Sequence, residues 1–165
     1  MADTSNGLIY GLSELKFKDK VIGWIDENGL TPAGTSPSFL EVKAAQVQDG
    51  PVDTILTDPG SDAFTLNLIQ LKAENLVDTI GGTKGSSDEW TPPTNMVATG
   101  KVLITATSGH KVLIPNARLS RNGFQNGINL QNVLALGIRL DMMKPSDGET
   151  PRFTIYPPGA VVPED

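Results

Sequence analysis

The stretch Thr57–Gly82, TDPGSDAFTLNLIQLKAENLVDTIGG, changes its hydrophobic period once. Phe64, Leu66 and Leu68 alternate with Thr65 and Asn67, the period of a half-buried strand. From Lys72 onward the apolar residues fall at Ala73, Leu76, Val77 and Ile80, the i, i+3, i+4, i+7 spacing of one helical face. The pair Gly81-Gly82 supplies residues that accept positive φ, so it is read as the helix stop. Strand-like segments lie on both sides, which makes this the expected site of the chain's one helix. A fold of this kind must bury its core mainly through sheet.

Glu14 to Asn28 has the pattern of a hairpin. Leu15 and Phe17 alternate with charged residues, Lys18-Asp19-Lys20 turns the chain, and Val21, Ile22, Trp24 and Ile25 follow before the turn signal Asn28-Gly29. Leu30–Ser38, with two prolines and Gly34, is read as a long loop. Phe39 to Gln48 is expected to be one strand, with Leu40, Val42, Ala44 and Gln46 on one face and Glu41, Lys43, Ala45 and Val47 on the other. A short strand over Val52–Leu56 precedes the turn at Asp58-Pro59-Gly60. Thr83–Thr94 is read as polar loop. Val97–Thr107 and His110–Ser120 match in length and spacing as a hairpin. Asn132–Met142 and Phe153–Tyr156 are the last strands expected.

The 17 Gly and 12 Pro suit many turns and edges better than long helices. The expected class is therefore mainly β: an antiparallel β-sandwich or barrel with one short flanking α-helix. The organisation expected is an N-terminal arm over residues 1–12 and a single domain over 13–165 that carries the long loop 28–38. No signal-peptide pattern and no run of 18 apolar residues is seen, so no membrane contact is expected.

Groups that carry chemistry are sparse. A net charge of −6 argues against non-specific nucleic-acid binding, which needs cationic surface. With no cysteine there is no disulfide, thiolate ligand or thiol nucleophile. His110, the only histidine, is read as an exposed turn residue. Gly81 to Ser87 lacks the phosphate-loop order, because Lys84 precedes Gly85. Asp26-Glu27-Asn28-Gly29 lacks the further ligands of a calcium loop. Asp58 and Asp62 are read as solvated turn residues rather than a carboxylate pair. Trp24 is assigned to core or interface, and Trp90, beside Pro92-Pro93, to an exposed anchor or equally to a buried indole in an assembled interface. No catalytic, metal or cofactor residue is assigned.

The order of these elements carries a resemblance. Asp58-Pro59-Gly60, then Phe64-Thr65-Leu66-Asn67-Leu68, then Asn75-Leu76-Val77 to Gly81-Gly82, resembles the strand–helix segment of phage tail tube (major tail) proteins. The hairpin Leu15-Lys16-Phe17 to Ile22-Gly23-Trp24-Ile25, its long loop, the strand Glu41-Val42-Lys43-Ala44-Ala45 and the strand pair after the helix follow the same order, over about residues 7–142. The resemblance implies a β-sandwich or small barrel with one helix. It implies six copies closed into a ring, with rings stacked into a tube through which DNA passes unbound. Partners would be further copies and other tail proteins such as the tape measure and terminator. The location would be the virion tail, and the host cytoplasm during assembly. On this basis Leu8, Ile9, Tyr10, Leu30, Thr31, Pro32, Ser36 and Pro37 are candidate ring-to-ring contacts. Glu41, Lys43, Gln46 and Gln48 are candidate lumen residues, with Lys43 and Lys101 as cations that would mix the lumen charge. Gly81 and Gly82 are the helix cap. An acidic or neutral lumen would repel phosphate and let DNA slide. The alternatives are a β-sandwich binding or adhesion module of a phage or bacterial surface, and the inner tube of a contractile injection system.

Overall fold

A computed structural model describes residues 6–163 of the 165. Among the described residues the fold is mainly β, with antiparallel sheets, one short helix and no closed barrel. Its elements are β1 (Glu14–Phe17), β2 (Lys20–Val21), β3 (Thr31–Pro32), β4 (Ser38–Val42), β5 (Asp53–Asp58), β6 (Ala63–Leu68), α1 (Ala73–Ile80), β7 (Thr83–Lys84), β8 (Trp90–Thr91), β9 (Val97–Thr105), β10 (Lys111–Gln125), β11 (Ala135–Met142) and β12 (Thr154–Tyr156).

The main sheet runs β2-β1-β9-β10-β11-β6-β3, and β12 pairs with the start of β10. Alternation fixes which face turns inward. Leu15 and Phe17 of β1, Val102 and Ile104 of β9, Ile114, Ala117 and Leu119 of β10, Leu136, Ile138 and Leu140 of β11, and Leu66 and Leu68 of β6 form one buried cluster. The expected face of β6 and the expected pairing of β9 with β10 are those observed. Beyond β2 the chain returns to the far side of the sheet. Ile25 bridges Leu68, and the amides of Asp26 and Ile69 donate to Asn67 and Trp24 carbonyls at 3.0 and 2.9 Å. The sheet thus curls toward closure without a continuous ladder. Helix α1 joins the same cluster through Leu76 and Ile80, with Ala73 also buried.

Three local expectations are corrected. Within the segment read as a loop over 28–38, residues 31–35 run in continuous register as an edge along β6. Thr31 pairs with Thr65 and Pro32 with Phe64. The Ala33 amide donates to the Ala63 carbonyl at 2.8 Å, and Thr35 and Ser61 exchange amide–carbonyl bonds at 3.0 Å. Only Ser36 and Pro37 separate it from β4. The strand expected over Phe39–Gln48 stops at Val42, where the Val52 amide bonds to the Val42 carbonyl and a turn begins. The loop expected over Thr83–Thr94 contains the two-residue hairpin β7–β8.

Candidate functional site

The feature that the domain does not account for by itself is the β4–β5 hairpin. Among the described residues it forms a two-stranded sheet of its own, joined to no strand of the main sheet. The register opposes Leu40 to Ile55 on one face and Phe39 to Leu56 on the other. Leu40 and Ile55 are 55% and 50% exposed, and Phe39 and Leu56 are as open, so neither face lies on the domain. A lone two-stranded hairpin is marginal in water, because each residue fixed costs about 1–2 kcal/mol of conformational entropy that burial must offset. Both outer edges also present unpaired backbone donors and acceptors. An apolar surface of this extent marks a contact site rather than ordinary exposure. The signal was present in the sequence: the adjacent pairs Phe39-Leu40 and Ile55-Leu56 place large apolar groups on both faces of a strand that alternation would otherwise make one-sided.

The candidate lumen residues do not share a strand face. Glu41 lies on β4, Lys43 just beyond it, and Gln46 and Gln48 lie in the turn between β4 and β5, so the expected alternation does not apply to them. Lys43 Nζ sits 3.7 Å from Glu41, and Lys101 Nζ sits 3.6 Å from Asp19. Both lysines flagged for the lumen are paired to an acid of their own chain. Asp58 accepts from the Gly60 amide at 2.8 Å and Asp62 pairs with Arg152 at 3.2 Å, so each has its own separate partner.

Of the arm, residues 1–5 lie outside the described residues. Leu8, Ile9 and Tyr10 are exposed. Immediately after them the chain is pinned as a continuation of β1: Thr107 and Ser108 amides donate to Gly11 and Tyr10 carbonyls at 3.3 and 3.2 Å. The arm and the segment Val21–Leu30 flank a groove of 1040 Å³ whose rim carries Tyr10 and Trp24. Trp24 is 69% exposed, which corrects the core half of its assignment. Leu30 is half-buried against the core, while Thr31, Pro32, Ser36 and Pro37 are exposed.

Trp90 is the reverse case. It is half-buried against the core, and its Nε1 donates to the Gly81 carbonyl at 2.9 Å, so it is not an exposed anchor. Gly81 follows the helix at φ 89° and Gly82 has φ 100°. His110 is buried, with Nδ1 3.1 Å from the Ser108 hydroxyl, which also lies 3.4 Å from the Tyr10 amide. The expectation of an exposed turn histidine fails: the turn bonds to the arm at Gly11 and Tyr10 and lies against Pro158, long-range contacts that no local pattern reveals. Among the described residues no group of three or more His, Asp or Glu is placed to hold a metal ion, and no helix is long and apolar enough to cross a membrane. No family model and no curated protein matches this chain.

Proposed function

We propose that this protein is a structural subunit that assembles with copies of itself into stacked rings forming a hollow tube, as the resemblance to phage tail tube proteins implies. The observation that carries the reading is the β4–β5 hairpin, apolar on both faces and unpaired on both edges. A surface of this kind is stable when a neighbour covers it, and a repeating assembly supplies that neighbour from the same sequence. The exposed apolar arm residues Leu8, Ile9 and Tyr10 add a second contact of the same character. The net charge of −6 per subunit suits a channel that lets nucleic acid pass without holding it. In this role the protein is not an enzyme. Negative-stain microscopy of the purified chain over a range of concentration and salt tests the reading. Rings or tubes are expected; monomers throughout would overturn it.

A second reading rests on Trp24. An exposed indole on the rim of a large groove is the arrangement of a sugar-binding platform. A glycan-array signal that disappears in Trp24→Ala would favour a binding module.

A further inference from the structure

A second apolar projection leaves the domain at the β10–β11 connection. Ile128 is 85% exposed and Leu130 101%, with Phe124 and Val133 also open. From Asn122 to Ile138 the chain carries no charged residue, and Arg121 and Arg139 bound the stretch. Leu130 is held outward by a turn in which Asn129 Oδ1 accepts from the amides of Gln131 and Asn132, both at 2.9 Å.

The position of this loop relative to the β4–β5 hairpin is what gives it meaning. Strand β11 begins at Ala135, opposite Gln125, where the loop is attached. It ends at Met142, whose amide donates to the Asp62 carbonyl at 2.9 Å, beside the base of the hairpin. The two projections therefore leave opposite ends of one eight-residue strand, about 25 Å apart at roughly 3.3 Å per residue. A two-fold dimer would join like to like. Unlike projections at opposite ends join head to tail, and a heterologous contact of that kind repeats along an axis.

We propose that the β10–β11 loop of one copy seats on the β4–β5 hairpin of the next, forming the axial contact of the stack. The proposal deepens the tube reading and rests on it for the biological role. The chemistry of the two surfaces is complementary. Leu130, Ile128 and Phe124 supply apolar groups to cover Leu40, Ile55, Phe39 and Leu56. The side-chain amides of Asn122, Asn126, Gln131 and Asn132 both donate and accept, as the free strand edges of the hairpin require. The same amides would be costly in a lipid interior, which favours a protein partner. The loop adds no charge beside the hairpin, whose rim carries Asp49, Asp53, Asp58 and the Glu41–Lys43 pair.

The absence of cysteine from the chain allows a direct test. Leu130→Cys and Leu40→Cys proteins, one carrying a size tag, are mixed and oxidised. Because a disulfide needs Cβ atoms within about 4.5 Å, the mixed Leu130–Leu40 product is expected in about tenfold excess over either homodimer. Unchanged circular dichroism and melting of each variant establish that the domain is intact. A statistical mixture, a preference for homodimers, or no disulfide at high concentration would overturn the proposal. Wild-type microscopy separates this from the tube reading. Tubes with statistical disulfides would sink the contact and leave the tube. A dominant mixed disulfide without rings or tubes would sink the tube and leave the contact.

Discussion

The indole Nε1 of Trp90 donates to the carbonyl oxygen of Gly81 at 2.9 Å, fastening the end of α1 to strand β8. This bond brings β8 so close to the following glycine that a Cβ on Gly82 would lie 2.4 Å from the Thr91 carbonyl oxygen and 2.7 Å from Trp90 Nε1. A Cβ on Gly81 would meet nothing nearer than Pro93 Cγ at 3.7 Å. Both glycines have positive φ, so the two sites separate conformational strain from crowding. Gly81→Ala is expected to cost about 1 kcal/mol, the strain alone. Gly82→Ala is expected to cost about 3 kcal/mol or more, because backbone must also move. Thermal melting distinguishes them, at about 2–4 °C per kcal/mol for a chain of this size.

The edge strand along β6 makes residues 30–38 part of the fold. A Cβ on Gly34 would lie 2.2 Å from the Ser61 carbonyl oxygen, and Arg139 Nη2 donates to the Ala33 carbonyl at 3.3 Å. Gly34→Ala is expected to destabilise by about 2–4 kcal/mol. Deletion of Leu30–Ser38 is expected to lower the melting temperature sharply, since it removes the edge strand and the core contact of Leu30. A deletion variant that melts like the wild type would show that the pairing with β6 contributes little.

Asp141 receives two arginines, Arg118 Nη2 at 3.0 Å and Arg139 Nε at 2.9 Å, on the outer face of the sheet. The carboxylate is largely buried, and the two guanidinium groups are open enough to reach water. Asp141→Asn is therefore expected to cost about 1–2 kcal/mol, below the cost of stranding a fully buried charge. Urea unfolding measures it. A neutral result would mean that water replaces the carboxylate without loss.

The Asp147 carboxylate accepts a hydrogen bond from the Thr150 hydroxyl, and from the Thr150 and Glu149 amides at 2.9 and 3.0 Å. The hydroxyl first, and then the amides, hold its pKa below the ordinary 3.8. A lowered carboxylate pKa adds stability above the unfolded value, lost as pH falls through the folded one. The loop is thus expected to loosen only below pH 3.8. Carboxyl NMR titration should show the lowered pKa of Asp147, and Thr150→Val should move it upward.

Much of this fold was legible because its causes are local. The period change at Lys72 placed α1, the alternation around Phe64–Leu68 gave the buried face of β6, and matched length and spacing paired β9 with β10. What failed depended on distant partners. Leu30–Thr35 looks like loop because prolines and Gly34 break its alternation, yet β6 supplies partners to it. His110 looks exposed, yet its turn meets the distant arm and Pro158 and the ring is buried. Trp24 and Trp90 exchanged expectations because a polar flank does not report whether an indole N–H has a buried acceptor. The candidate contact surface was half legible: doubled apolar pairs mark β4 and β5, but that they join no other strand is a fact of topology.

Sedimentation velocity of the full chain across concentration, beside a Leu40→Asp, Ile55→Asp variant, tests most directly whether the hairpin drives assembly. Leu40 and Ile55 face each other and touch no core, so the variant should keep the wild-type melting temperature. The expected result is that the wild type grows with concentration into species much larger than a single subunit, while the variant forms no stacked species. Identical sedimentation of the two proteins would contradict the central claim.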